Sequence, residues 1–272
     1  MTTAIATLMA VYAGDDPEAL AESIESTLVQ DLPADIESRL YVGVDGPLPP
    51  PLEQVLARYA SHCALVLRSS VNRGLARTLN GLIERLSDEA FLFRMDADDI
   101  SLPGRYRAQL DHLAAHPEVD IVGTAITEFD PITGAERVVR FAKNPADAAA
   151  RIHQRVPVAH PSVCFRRRVF KVLKGYPLAG TNEDIALWFE CLQRGMVFDN
   201  IDASLLRFRI SSHFWQRRGW AKARSEFTSY VRGIHAMHGP WTWRYAAPLA
   251  RLALRLSPVF VSRWAYQRRF RG

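Results

Sequence analysis

Between residues 4 and 126, short apolar runs alternate with amphipathic stretches, and this alternation restricts the fold more than any other feature of the chain. Residues 4–12 (AIATLMAVY) read as a buried strand. Residues 17–30 read as a helix, with Asp15 or Asp16 available as cap and Pro17 in the first turn. A second strand spans 40–44, closed by Asp45-Gly46-Pro47 and the proline run 49–51, and a third spans 64–67. A helix over 75–86, an apolar run over 90–95, a helix over 103–115 and a strand over 121–126 follow. Strands separated by helices need right-handed crossovers. The expectation is therefore an α/β fold with a Rossmann-like, mostly parallel sheet and helices on both faces. A chain of 272 residues, 48% hydrophobic, suffices for one such domain and an appendage.

In sheets of this kind ligands bind beyond the carboxyl ends of the strands, and three runs end on candidate groups: Tyr12, Asp45 and the cluster Asp96-Ala97-Asp98-Asp99. Three acids within four residues repel one another. A hard divalent cation such as Mg²⁺ or Mn²⁺ relieves that repulsion and takes carboxylate and phosphate oxygens. The alternative is a solvated acidic turn in which Asp99 caps the next helix. Asn182-Glu183-Asp184 opens a helix running to about Arg194, where an acid serves either as a cap on the macrodipole or as a general base. Asn72-Arg73-Gly74 precedes another helix, as a plain turn or as a phosphate seat.

Charge is unevenly distributed. Residues 214–272 carry 12 Lys/Arg against Glu226 alone, while the rest carries 22 basic and 28 acidic groups. That segment also holds five of the six tryptophans. Leu249, Leu252, Ala253, Leu256 and Phe260 recur at helical spacing, with Pro248 before the run and Pro258 near its end. Trp, Leu and Arg with almost no acid suit a helix lying in an anionic interface; the alternative is a helical extension packed on the body. An acidic body argues against a nucleic-acid partner despite the overall charge of +5. Three scattered cysteines suit buried thiols in a reducing compartment. The start MTTAIATLMAVYAGDD lacks the features of a signal peptide, and no run of 18 uncharged apolar residues marks a membrane span.

The ordered set LMAVYAGDDPEALAESIESTLVQ, VGVDGP, VNRGLARTLNGL, MDADDISLPGRYRAQLDHL, VDIVGTAITEFD, HPSVCFRR and GYP…NEDIALWFECLQRGM resembles glycosyltransferase family 2 over residues 4–213. The likeness is greatest to its bacterial exopolysaccharide members of the amylovoran-biosynthesis type. The resemblance implies a GT-A fold over residues 1–213, with residues 214–272 as a basic helical tail at a membrane surface. It also implies an inverting hexosyltransferase. The donor would be a UDP-sugar, UDP-Gal or UDP-Glc, and the acceptor a glycan or polyprenyl-diphosphate-linked chain. The setting would be the cytoplasmic face of the inner membrane. By the same resemblance Ala10, Tyr12, Asp45, Asn72, Arg73, Asp96 and Ala97 bind the nucleotide, and Asp98 with Asp96 holds Mn²⁺ or Mg²⁺, with His213 as a further candidate ligand. Asp184 is the general base, and Glu183 and Trp188 contact the acceptor. The family's usual Pro-Thr or Pro-Ala pair before the first-strand aromatic is Ala10-Val11 here.

Other assignments fare worse. A haloacid-dehalogenase-like phosphatase shares an Asp-x-Asp after an apolar strand but has Thr or Val where Ile100 stands, and no matching later Lys and acidic motif is apparent. A nucleotidyltransferase opens with a Gly-rich, basic phosphate loop, which MAVYAGDD is not. A non-catalytic membrane-surface protein would leave the ordered acids without a role.

Overall fold

A computed structural model of the chain describes residues 2–178, 182–210 and 220–256. Strand β1 (Thr3–Tyr12) is buried along most of its length, as a central strand must be. It pairs in parallel with β2 (Ile36–Asp45) on one side and β4 (Phe91–Asp96) on the other, and β3 (Cys63–Arg68) adds in parallel beyond β2. The register sets Tyr12 opposite Asp45 and Ala10 opposite Asp96, so the three candidate strand ends meet at one edge.

Beyond β4 the sheet becomes mixed. Its order is β3-β2-β1-β4-β8-β6-β9-β5, with β7 (Glu136–Val139) beside β6. Strand β8 (Cys164–Arg166) runs antiparallel to both β4 and β6 (Ile121–Phe129). Strand β9 (Phe198–Arg209) is parallel to β6, and the two-residue β5 (Ile100–Ser101) antiparallel to β9. The mostly parallel order expected from the sequence describes the first half. In the second, β8 is only three residues long and enters from a 3₁₀ turn over His160–Ser162, so no crossover helix imposes a direction on it.

Alternate residues of β1 go to opposite layers, as the pleat requires. Ala6 and Leu8 join a core with α3 (Leu75–Ile83), α6 (Arg168–Leu173) and α7 (Glu183–Gln193). Met9 and Val11 face α1 (Pro17–Leu28) and α2 (Pro50–Tyr59), while Ile5 packs with α4 (Arg105–Ala115). A short α5 (Pro145–Arg151) lies between β7 and β8 in sequence. Helix α1 is capped by Asp16, whose carboxylate accepts from the Glu18 and Ala19 amides. Helix α2 starts within the proline run read as a strand ending: prolines suit a first turn, where the missing N–H is not needed. In α4, Gln109 is fully buried and its Nε2 donates to the Val122 and Ser162 carbonyls, tying the helix to the second half of the sheet.

Helices α8 (Trp220–His238) and α9 (Ala246–Leu256) follow. Tyr230 and Ile234 of α8 sit in the same core as α7. Gly233 is what lets α8 approach: a Cβ there would lie 2.2 Å from Cγ of the Phe189 ring. Asn182 Nδ2 donates to Ser225 Oγ at 2.8 Å, and Arg251 of α9 pairs with Glu226 of α8 at 2.8 Å. The described part of the basic segment is therefore layered on the body. Among the described residues no helix is long and apolar enough to cross a membrane.

Candidate active site

The acid loop leaves β4 at the junction between the two halves of the sheet. Asp96, Asp98 and Asp99 each present a carboxylate oxygen within 4.8 Å of the others. Ala97 turns the other way, into the core beside α1 and α2, so any nucleotide contact from Ala97 is made by its backbone. Asp99 does not cap a helix; Gly104 stands at that position of α4. Instead Asp99 is fully buried, with Oδ1 accepting from the Arg209 amide at 2.9 Å and Oδ2 without a partner. Arg209 also donates from Nε to the Asp98 carbonyl at 2.8 Å and pairs with Glu22, fastening the end of β9 to the loop. Burial and the Asp96 charge push Asp98 up to about 6, and burial with both neighbouring acids holds Asp99 well above the usual carboxylate range. A buried carboxylate oxygen without a donor, beside two more acids, is a donor set that a hard divalent cation fits.

At the end of β2, Asp45 is 5% exposed and both carboxylate oxygens are occupied. Oδ1 accepts from the Arg73 amide at 2.6 Å and Oδ2 from the Gly74 amide at 2.8 Å. These are the amides expected to seat a phosphate, so the head of α3 carries the protein's own anion. Asn72 Nδ2 donates to the Asp45 carbonyl at 3.3 Å, and Gly46, at φ 92°, passes so close that a Cβ would lie 2.8 Å from the Asn72 amide nitrogen. Arg73 itself is exposed and lines an open groove of about 610 Å³ along α3. The Tyr12 ring folds over Gly14, where a Cβ would come within 2.6 Å of it. Ala10 is half-buried beside Asp96.

The head of α7 carries the second pair of candidate acids. Glu183 and Asp184 occupy its first turn and are half-buried. Burial chiefly, with the Asp184 and Asp96 charges, pushes Glu183 up to about 6, while the Arg94 charge opposes the rise. The α7 acids and the acid loop thus share one electrostatic environment. Trp188, expected at the acceptor, is fully buried, stacked on Phe165 and edge-on to Phe198. It lies one helical turn after Asp184, with its ring in the core between α7 and the sheet rather than at the surface. His213 lies outside the described residues.

Sequence reasoning gives Arg94 no role, and reads Asp99 as a member of the acid cluster or a helix cap. Arg94 had a legible signal: an arginine inside an apolar strand, two residues before an aspartate, shares that aspartate's face. Arg209 opens the segment 209–213 weighed for His213, and the β5–β9 pairing is what brings it to the acid loop.

Residues 8–173 match the family described as "Glycosyl transferase family 2". The chain is 31% identical over 267 residues to the amylovoran biosynthesis glycosyltransferase AmsE of Erwinia amylovora, covering 97% of this chain and 98% of that one. The chain belongs to glycosyl transferase family 2. It is also 27% identical to the UDP-Gal:alpha-D-GlcNAc-diphosphoundecaprenol beta-1,3-galactosyltransferase of Escherichia coli, over 98% of this chain and 96% of that one. Among solved structures, S. aureus TarS 1–349 with UDP-GlcNAc superposes with a TM-score of 0.67 at 15% identity, covering 94% of this chain and 72% of that one. The mannosyltransferase PcManGT of Pyrobaculum calidifontis, with GDP-Man and Mn²⁺, gives 0.61 at 15%, covering 97% and 78%. The fold is GT-A, and this family-2 chain is a glycosyltransferase.

Proposed function

We propose that this glycosyltransferase moves a hexose from a UDP-sugar to a glycan or polyprenyl-diphosphate-linked acceptor in surface polysaccharide synthesis, with inversion at the anomeric carbon. The observation that carries the proposal is the cluster of Asp96, Asp98 and Asp99 carboxylates at the carboxyl edge of the sheet, with Glu183 at the head of α7 within electrostatic reach of Asp96. UDP-Gal as donor, with UDP-Glc as the alternative, is supported by the galactosyltransferase relative, whose name carries both UDP-Gal and a diphosphoundecaprenol acceptor. Tyr12, Ala10, Asn72 and Arg73 border the nucleotide, and Asp45 holds their loop in shape. Asp98 and Asp99, with Asp96 beside them, would hold Mn²⁺ or Mg²⁺. Bound there, the cation would neutralise charge on the departing nucleoside diphosphate. Asp184 takes the proton from the attacking acceptor hydroxyl, and Glu183 orients that hydroxyl; a base of this kind is worth about 10²–10⁴-fold.

The exposed Trp241 and Trp243, 95% and 67% accessible, with Leu249 and Arg244 nearby in sequence, support a membrane-surface role for the tail at the cytoplasmic leaflet. The test is UDP release from a panel of nucleotide sugars with and without Mn²⁺. Metal-dependent release from one sugar, lost in Asp98→Ala and Asp184→Asn, with UDP–Mn²⁺ binding kept only by Asp184→Asn, is the expected result. No binding of any nucleotide at any metal concentration refutes the proposal.

A further inference from the structure

Arg94 is 2% exposed in the middle of β4, on the strand face that also carries Asp96. Its Nη1 makes an ion pair with the Asp96 carboxylate, and its Nε has no hydrogen-bond partner. A buried ion pair contributes little net stability, since desolvating both charges offsets their attraction. Stability therefore does not account for an arginine here. Its surroundings do. The ion pair fastens the guanidinium to the acid loop, whose Asp96, Asp98 and Asp99 carboxylates lie within 4.8 Å of one another, and its charge is also felt at Tyr176, His160 and Glu183. His160 Nε2 and Tyr176 Oη lie 2.9 Å apart, with the Tyr176 backbone tied to α3 through Asn80.

We infer that Arg94 is a positioning residue for the transfer reaction: buried in β4, it holds the Asp96 carboxylate, and through it the acid loop, in one orientation. The Asp96 oxygen paired with Arg94 is thereby committed to the protein, as Asp99 Oδ1 is to the Arg209 amide. The inference rests on the reading of the site given above.

The test uses the full chain with Arg94→Met, Arg94→Lys, Asp96→Asn and the Arg94→Met/Asp96→Asn double variant. Three quantities are read: the thermal midpoint, UDP affinity in Mn²⁺ by calorimetry, and kcat and KM for UDP release from the donor sugar. Misplacing a reacting group by about 1 Å costs about 10²-fold, so Arg94→Met is expected to lose about that in kcat while remaining folded, and to bind UDP about tenfold more weakly. Lysine keeps the charge but not the fork, and is expected to recover about tenfold in kcat over methionine. Because Arg94 acts through Asp96, adding Arg94→Met to Asp96→Asn should cost less than about threefold more. A kcat for Arg94→Met within about threefold of wild type overturns the inference, as does a loss of full size in the Asp96→Asn background. Should the methionine variant fail to fold, Arg94→Lys decides: a loss of about tenfold in kcat at an unchanged thermal midpoint supports the role, and an unchanged kcat overturns it. Wild-type protein that binds no UDP refutes the underlying reading and the inference together. Wild-type protein that binds UDP and releases it from the donor no faster than Arg94→Met refutes the inference alone.

Discussion

Gly233→Ala is expected to destabilise the protein, although alanine is the better helix former. In an open helix the change gains about 0.8–1 kcal/mol. Here the added Cβ would lie 2.2, 2.3 and 2.5 Å from Cγ, Cδ2 and Cδ1 of Phe189. That ring is 2% exposed and edge-on to Tyr230 at 5.9 Å, so it cannot swing into solvent. Overpacking of this kind costs about 1–3 kcal/mol, and a rigid, buried aromatic puts the cost at the upper end. The net is a loss of about 1–2 kcal/mol, or about 2–8 °C in thermal midpoint for a chain of this size. Urea denaturation of wild type, Gly233→Ala, Phe189→Leu and the double variant measures it. Removing the ring should return at least about 1 kcal/mol of the Gly233→Ala loss as a coupling energy. A Gly233→Ala protein as stable as wild type, or more stable, refutes the seating of α8 on α7.

Other outcomes follow from the site. Glu183 binds its proton more tightly in the fold, at about 6 against an ordinary value of 4.5, so its stabilising contribution is present below pH 4.5 and disappears as pH rises through about 6. Metal-free thermal midpoints between those pH values should therefore fall more steeply in wild type than in Glu183→Gln; parallel curves contradict this. Mn²⁺ at a hundred times its Kd should raise stability by about 2.7 kcal/mol, and Asp98→Ala should abolish the rise; an undiminished rise would take Asp98 out of the cation site. In Gly14→Ala the Tyr12 ring must move off its seat. UDP should then bind about tenfold more weakly, worth about 1.4 kcal/mol, with stability altered by no more than about 0.5 kcal/mol at this exposed position. Unchanged affinity would show that Tyr12 is not the platform for the base.

The strands of the first half and their polar ends were readable because period and punctuation are local: an apolar run ending on Tyr12, Asp45 or Asp96 carries its own meaning. The second half was not, because β8 and β9 are placed by partners far away in sequence. Local signals also misled where two functions share one residue type. Prolines that end a strand also begin α2, and a glycine-bordered helix start that suits phosphate is filled by Asp45. Trp188 shares the helix face of Asp184 one turn on, but its ring lies fully buried in the core, a depth that spacing along the chain does not report. Arg94 went unused because its one ion-pair partner, Asp96, was already explained.

Helix α7 has two employers. Its head carries Glu183 and Asp184, while Phe189, further along, takes up the contour of α8. A genetic selection scored on product formation alone would return Gly233, Tyr230 and Ser225 alongside the acids, because these three seat α8 on α7 and its cap. Laboratory evolution could exploit the same coupling: small volume changes along α8 would grade turnover while every reacting group kept its identity.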